Sequence, residues 1–491
     1  MEERLRRRKL EALKRGVHRM SGAPALPFST HVVGIGRAGA AAISAMLRAI
    51  EPGGPTFTAL VVDIGDQDMS EARALAANAP VGSAEVRFVA IDAASPDSLT
   101  EVLASYPEYL AIEYPRYVWG PGYEPWLRPP LTLPAAGGRH ARAVAKALYG
   151  AAYYTAARPM ERALRTFADS VEAARSQAVI AIVFGLGGGT GSGIAVDLAR
   201  HLSTRMFGRA VLVAGIAIAP CDGDAPEHRG AQVYAALNEL DCLGDEAKNR
   251  GVVASCGDLF ANPFTAGLIL VPQQHAWLGT GSLARTQERT SAEVANFVTG
   301  NAGVNLWETL RLLNWVAAPS TQHSAARTPW GAHWVHVLGF ADAEPGEVPL
   351  GRDLPRRMGL RVSYAPEFIE MRAAARGPGT ETCAASLAAA FSPDVPPQIA
   401  DGARGGSVQF ILPRAAKTDL AVFAAARDAY DNEDMPARLL AHSMLLEQGV
   451  LLSEPSTRLE GMAGASLGES GSWVAVPFGA LRGETEPAHA A

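Results

Sequence analysis

The segment Leu186-Gly-Gly-Gly-Thr-Gly-Ser-Gly193 lies between two stretches of different pattern, and this context decides the fold class. Before it, Val179–Phe184 is a continuous apolar run, which is typical of a strand buried on both faces. After it, residues 194–202 carry apolar side chains at helical spacing. Glycines let a backbone approach a ligand closely, and the amides that begin a helix favour an anion. The segment therefore predicts a strand–loop–helix unit that binds phosphate, with hydroxyl donors at Thr190 and Ser192.

The same alternation of strand and helix continues along the first 290 or so residues. It predicts an α/β fold with a parallel, doubly wound sheet of the Rossmann type. A long helix then leads to a smaller α+β domain with strands near 333–339 and 407–412. The expected strands are 30–35, 57–63, 179–184, 210–219 and 265–271, and the expected helices are 40–49, a long one after Gly138 that breaks near Pro159, 292–313, 419–426 and 436–448.

Composition restricts the class of protein. The chain has 491 residues, 48% hydrophobic, and its four cysteines form no CxxC pair, which argues against a zinc site or a disulfide framework. It contains no stretch of 18 apolar residues, the length that a membrane-spanning helix requires. Residues 1–20 hold eight Lys or Arg and three Glu, so this segment is +5 and the remainder is −11. The acidic body makes nucleic acid an unexpected partner.

The basic segment 1–20 has a narrow apolar stripe when drawn as a helix. Such a helix can lie on an anionic membrane surface, and many copies on one filament would bind by avidity. A solvated basic tail and a docking helix for an acidic partner are the alternatives. The stripe residues expected to contact lipid are Leu5, Leu10, Leu13 and Val17.

The glycine-rich segment resembles the signature loop of the tubulin/FtsZ superfamily, and other motifs fall in that family's order between residues 30 and 315. The resemblance implies a divergent prokaryotic member that binds GTP or GDP, is compatible with Mg²⁺, and stacks head to tail with other copies. By the same resemblance, Asp63 or Asp66 is the candidate to hold a magnesium-bound water, with Asp66 chosen as the metal residue. Glu227 is the candidate for the ribose and Asn296 for the guanine edge. The residues implied at the nucleotide are Gly34, Gly36, Arg37, Gly39, Asp63, Asp66, Gln67, Gly137, Gly138, Gly187, Gly188, Gly189, Thr190, Gly191, Ser192, Gly193, Glu227, Arg229, Gln273 and Asn296, with Arg142 following the loop under the γ-phosphate.

The loop after the central helix departs from the family pattern. In FtsZ and tubulin this loop carries acids that orient the attacking water at the next subunit's nucleotide, whereas here Asn314 and Val316 occupy the expected positions. No Asp or Glu occurs between Glu308 and Asp342. Loss of such a group costs on the order of 10²–10⁴ in rate. We therefore expect slow or absent hydrolysis, with no catalytic residue assigned.

Two other classes remain open at this point. A non-polymerising GTP-binding regulator is favoured by the missing acid. An NAD-dependent oxidoreductase is favoured by the Gly34-x-Gly36-x-x-Gly39 turn, which has an acid, Asp63, 24 residues after its last glycine.

The expected organisation is a basic helix 1–20, a linker 21–29, a GTP-binding domain 30–287 with a Tyr/Trp/Pro-rich insertion 104–134, a central helix and loop 288–318, a C-terminal domain 319–480 and a disordered tail 481–491. The expected location is the cytoplasm, on the inner face of the cell membrane.

Overall fold

The architecture comes from a computed structural model of the chain. It describes residues 28–299 apart from 55, 93–95, 114–126, 128–138, 156, 175–176, 245–252 and 255–256. Beyond residue 299 it describes 334–338, 408–409, 426, 429–430, 432–434, 437, 440–444 and 476–477. The segment 1–20 with Leu5, Leu10, Leu13 and Val17 lies outside the described residues, as do Gly137, Gly138, Asn314 and Val316.

A parallel sheet forms the centre of the first domain. Its strands follow the order β3-β2-β1-β4-β5-β6, so the order reverses between β1 and β4. Val, Ile and Ala dominate β4 and β5, as expected for strands covered on both faces. The bounds are β1 Phe28–Ile35, β2 Phe57–Ile64, β3 Ala84–Ile91, β4 Gln177–Gly185, β5 Leu212–Ala219 and β6 Gly267–Pro272.

Helices cover both faces of this sheet and bury two separate apolar clusters against it. Helices α1, α8 and α9 pack on one face, and α3 to α7 pack on the other. None of the helices in the described part of the chain is both long enough and apolar enough to cross a membrane. The helices are α1 Gly36–Arg48, α2 Ser70–Ala77, α3 Pro96–Glu113, α4 Arg142–Tyr154, α5 Pro159–Ala173, α6 Gly189–Arg200 followed by a π-helical turn His201–Met206, α7 Ala231–Gly244, α8 Gln273–Thr280 and α9 over 283–299, with short 3₁₀ turns at Gln67–Met69, Pro226–His228 and Asp258–Phe260.

A buried ion network ties α3, α4 and α6 together on the second face. Lys146 Nζ lies 2.9 Å from Glu113 Oε2 and 2.5 Å from Asp197 Oδ2. Arg200 contacts both carboxylates, and its guanidinium carbon lies 4.0 Å from the Phe260 ring centre. These charges are almost fully shielded from solvent, so each depends on its partners.

The parallel α/β class predicted from the sequence is confirmed, and individual elements differ locally from the expectation. Helix α1 begins at Gly36 and not at residue 40, because the glycine turn itself is the first turn of the helix. Strand β3 was not predicted; most of its residues are only half-buried, so its apolar pattern is weak. Residues 104–113, expected in an insertion, form the second part of α3.

A further strand extends this sheet beyond β6. The backbone of β7, Trp334–Leu338, pairs parallel with β6, and the short β8 (Val408–Gln409) and β9 (Val476–Pro477) pair antiparallel with β7. The segment near 333–339 was expected in the smaller domain, and the backbone places it next to the first sheet. The domain boundaries stay a prediction.

Candidate functional site

The point where the strand order reverses is the centre of the candidate site. In doubly wound sheets, ligands bind in the crevice at the carboxyl ends of the strands at this switch point. Strands β1 and β4 pair in parallel there, with Ile35 opposite Phe184, so the turns that follow them are adjacent. Gly36 adopts φ +67°, and a Cβ at this position would lie 3.3 Å from the Gly191 amide nitrogen. The first glycine turn and the signature loop are therefore in contact.

Two other segments enclose the signature loop. The His228 carbonyl oxygen packs against Gly187 and the His140 carbonyl oxygen against Gly189, so closely that a Cβ at either glycine would overlap that oxygen. Gly188 is extended and precedes α6 without a side-chain cap, and Thr190 is half-buried in its first turn. The amino end of α6 thus carries backbone amides into the crevice, and the partial positive charge of a helix start favours an anion there.

Ser192 contributes to the structure of the loop itself. Its hydroxyl donates to the Gly188 carbonyl oxygen at 2.6 Å and accepts from Arg142 Nε at 3.0 Å. The side chain is buried, so in this arrangement the hydroxyl is engaged within the protein. The sequence interpretation assigned this hydroxyl to a phosphate, and the geometry gives it two internal partners instead.

Arg142 is buried beneath the signature loop. The family resemblance had implied a different place for it, directly after the loop that lies under the γ-phosphate. Its Nη2 atom lies 2.6 Å from Glu239 Oε2, and Nη1 donates to the Ala441 carbonyl oxygen at 2.8 Å. Glu239 Oε1 accepts from the backbone amides of Ser443 and Met444 at 2.7 and 2.9 Å. We call Arg142, Glu239 and the segment 441–444 the clasp. It joins the signature loop to a segment about 250 positions further along the chain.

The turn after β2 supplies carboxylates to the other side of the crevice. Asp63 is buried and accepts from the Ile64 amide at 2.8 Å, and burial raises the pKa of Asp63 to about 7. Asp66 and Gln67 are exposed, and Arg37 donates to Asp68 at 3.0 Å, which links this turn to the start of α1. Mg²⁺ is usually held by one or two carboxylates and the phosphates of its ligand, so an exposed Asp66 fits that ion. Among the described residues no three His, Cys, Asp or Glu side chains form a metal cluster.

The loop 220–229 and the start of α8 form a third wall. Arg229 Nη1 pairs with Asp222 Oδ1 at 2.9 Å, and Glu227 is exposed. Gln273, the candidate base contact, is buried and donates to Asp224 Oδ2 at 2.9 Å. Its amide therefore holds the loop in place. Asn296, the other candidate for the base, is exposed on α9.

Arg139 is a residue that the sequence interpretation missed. Its Nε and Nη2 atoms are shielded from solvent and have no hydrogen-bond partner among the described residues. Burial lowers the pKa of Arg139 to about 10, and the charge of Glu227 opposes this shift. Its position directly after Gly137-Gly138 was the available signal, because a basic residue beside a glycine pair suits an anion.

Comparison with known proteins identifies the family. The model of a family described as tubulin like matches residues 32–295, more than half of the chain. The chain belongs to the tubulin-like family. The resemblance to the tubulin/FtsZ superfamily stated from the sequence is therefore confirmed.

Solved structures similar to this tubulin-like chain include CetZ from Methanosaeta thermophila strain DSM 6194, with 13% identity over 68% of each chain and a TM-score of 0.37. The GTPγS-form protofilament of TubZ from Bacillus thuringiensis serovar israelensis shows 15% identity and a TM-score of 0.32; the match spans only 60% of each chain. TubZ of Clostridium botulinum phage c-st shows 12% identity over 68% of this chain and 75% of that one, with a TM-score of 0.30. No curated protein sequence matches this tubulin-like chain.

Proposed function

We propose that this tubulin-like chain binds a guanine nucleotide at the switch point between β1 and β4 and stacks head to tail into filaments. The observation that carries the proposal is the contact between the two glycine turns at Gly36 and Gly191, beside the amino end of α6. A phosphate chain placed there meets backbone amides and the positive end of a helix. Membership of the family supports GTP or GDP as the ligand, because the matched residues 32–295 include both turns.

Each part of the nucleotide has a candidate contact among the described residues. The amides from Gly187 to Gly191 and the turn at Gly34 and Gly36 suit the phosphates. Exposed Glu227 suits the ribose hydroxyls, and exposed Asn296 suits the guanine edge because an amide both donates and accepts. Asp66 suits a water bound to Mg²⁺. Of the implied set, Ser192 and Gln273 have their polar groups engaged within the protein, and we assign them to positioning the loops.

The proposal includes slow or absent hydrolysis. Val316 stands where the family has an acid, and no carboxylate occurs between Glu308 and Asp342. An isopropyl side chain cannot orient water, so the filaments would be long-lived. The basic segment 1–20 is proposed to attach them to an anionic membrane from the cytoplasmic side, at roughly 1 kcal/mol per basic residue near the lipid.

The test is centrifugal pelleting of the full chain with GTP, with GDP and with no nucleotide, together with phosphate release in the same tubes. The expected result is pelleting that requires GTP, with little phosphate. If the protein binds GTP but never pellets, the filament proposal would be refuted. The result would favour a monomeric GTP-binding regulator, which is also the function that the missing acid favours. The variant Val316→Asp tests the hydrolysis part of the proposal, because it restores an acid at this position. If only the acid is lacking, phosphate release should rise on the order of tenfold or more.

Membrane attachment has a separate test. Deletion of residues 1–20 should abolish co-sedimentation with anionic liposomes and leave nucleotide binding intact. A chain in which the basic residues of this segment are replaced by Gln is the matched control for charge. Unchanged co-sedimentation of the deleted chain would refute the membrane role.

A further inference from the structure

Unpartnered polar atoms collect on the two segments that enclose the signature loop. Four such atoms, all shielded from solvent, are Arg139 Nε and Nη2, His140 Nδ1 and Arg229 Nε; none has a hydrogen-bond partner within the described part of the chain. These segments touch the loop, since the carbonyl oxygens of His140 and His228 lie where side chains at Gly189 and Gly187 would be. The two segments that carry the unpartnered atoms therefore lie beside the amino end of α6.

Arg139 differs from the other arginines of this region. Arg37 pairs with Asp68 at 3.0 Å, Arg142 with Glu239 at 2.6 Å and Arg229 with Asp222 at 2.9 Å. Arg139 forms no ion pair with any described carboxylate, and Glu227 acts on it only through a longer-range charge interaction. Arg139 is half-buried, but two of its three guanidinium nitrogens are shielded from solvent without a partner. Shielded donors without a partner are costly, so they indicate an anion that arrives from outside the protein.

The chemistry of the ligand follows from the surroundings. The signature segment 187–193 contains no basic residue, so its amides alone cannot neutralise a polyphosphate. A guanidinium presents a planar fork of N–H donors that matches phosphate oxygens in pairs. Burial and the positive charge of Arg139 both lower the pKa of neighbouring His228, which keeps that imidazole neutral. Arg139 is then the unpaired cation at this wall among the described residues.

We propose that Arg139 binds the phosphate chain of the nucleotide beside the amino end of α6. This inference rests on the proposed function for the identity of the nucleotide, and on the unpartnered guanidinium for the phosphate contact. Arg139 is a binding and specificity residue that separates phosphorylated ligands from the bare nucleoside. The glycines give the crevice its shape, and Arg139 supplies the positive charge that balances the bound phosphates.

The test measures the affinity of the full chain for GTP, GDP and inorganic pyrophosphate by calorimetry. Arg139→Gln should raise the Kd of all three by about tenfold to a hundredfold, since the lost hydrogen bonds involve charged groups. Arg139→Lys should recover part of the loss, because it restores the charge without the fork. The matched control is Arg165→Gln, which removes an exposed arginine from α5 and should leave all three affinities unchanged.

Stability of the ligand-free protein gives a second readout. Arg139→Gln removes a cation that has no partner, so the thermal midpoint without ligand should equal or exceed that of the wild type. A structural role would lower this midpoint, as we expect for Arg142→Gln, and would overturn the inference. An unchanged pyrophosphate Kd in Arg139→Gln would overturn it as well.

The outcomes separate the two proposals. A wild-type chain that binds pyrophosphate through Arg139 but neither guanine nucleotide keeps this inference and refutes the proposed function. A chain that binds GTP equally well with and without Arg139 keeps the function and refutes the inference. Failure of the wild type to bind any of the three ligands refutes both.

Discussion

Replacement of Glu239 by Gln tests the clasp beneath the signature loop. The Glu239 carboxylate is fully buried and accepts hydrogen bonds at both oxygens. Oε2 accepts from Arg142 Nη2 at 2.6 Å and from the Ser443 hydroxyl at 2.8 Å, and Oε1 accepts from the Ser443 and Met444 amides at 2.7 and 2.9 Å. Gln has nearly the same shape but one acceptor oxygen, so in either orientation its NH₂ group faces N–H donors.

The magnitude follows from the burial of both partners. Arg142 and Glu239 are each 1% exposed or less, and the variant leaves the guanidinium without a countercharge. Breaking a buried ion pair from one side costs about 3–5 kcal/mol. For a domain of this size each kcal/mol lowers the thermal midpoint by about 2 °C, so we expect a decrease of about 6–10 °C.

The assays are thermal unfolding and amide hydrogen exchange. Exchange should accelerate at Ser443 and Met444, because the weakened clasp opens more often. Glu161→Gln is the matched control, because it removes an exposed carboxylate that pairs with Arg165 within α5, and its effect should stay below about 1 kcal/mol. The double variant Arg142→Met/Glu239→Leu should cost less than Glu239→Gln, because it leaves no unpaired charge.

The pH dependence supplies a further check. Arg142 holds the pKa of Glu239 well below its usual range, against the opposing effect of burial. A carboxyl group with a lowered folded-state pKa stabilises the fold fully above its unfolded pKa and loses that contribution as pH falls toward the folded one. The difference between wild type and Glu239→Gln should therefore be largest above about pH 5 and shrink at lower pH. A thermal midpoint within 2 °C of wild type at pH 7, roughly 1 kcal/mol, would refute the role of the clasp.

Three other predictions follow from the described contacts. Asp63→Asn should stabilise the ligand-free, magnesium-free protein above pH 7 by on the order of 1 kcal/mol. Burial raises the pKa of Asp63 to about 7, so the cost of its ionisation in the folded protein grows from about pH 4 and is complete above pH 7. Urea unfolding should therefore show a larger gain at pH 8 than at pH 5, and equal gains at the two pH values would contradict this reasoning. Gly39→Ala places a Cβ 2.5 Å from the Gly34 carbonyl carbon and should lower the free energy of unfolding by about 1–3 kcal/mol. The control Gly54→Ala places a Cβ no closer than 3.4 Å to any neighbour. Equal thermal midpoints for the two variants would contradict this packing. Lys146→Met should lower the thermal midpoint about as much as Glu239→Gln, because it leaves the buried carboxylates of Glu113 and Asp197 to share Arg200. The surface variant Arg165→Met is the control and should leave the thermal midpoint near that of the wild type.

The sequence pattern was sufficient to predict the elements whose formation depends mainly on residues close together in the chain. The apolar run 179–184 became β4 and the glycine segment became the start of α6, because strand burial and helix initiation depend on neighbouring residues. Strand β3 was missed because its half-buried residues alternate weakly, and the start of α1 was placed four residues late because glycines are poor helix formers.

Sequence patterns alone were enough to predict the α/β class, the family resemblance and the two glycine turns of the candidate site. The tertiary structure decided which side chains face a ligand and which hold the loops. Arg142 and Ser192 are residue types that often bind phosphate. Arg142 instead contacts a carboxylate 97 positions away and a hydroxyl 301 positions away, and the Ser192 hydroxyl donates a hydrogen bond within its own loop. Arg139, three positions earlier, has no such partner within the described chain. The physical reason is that a charge takes its role from the groups that surround it in space, and sequence spacing does not record them.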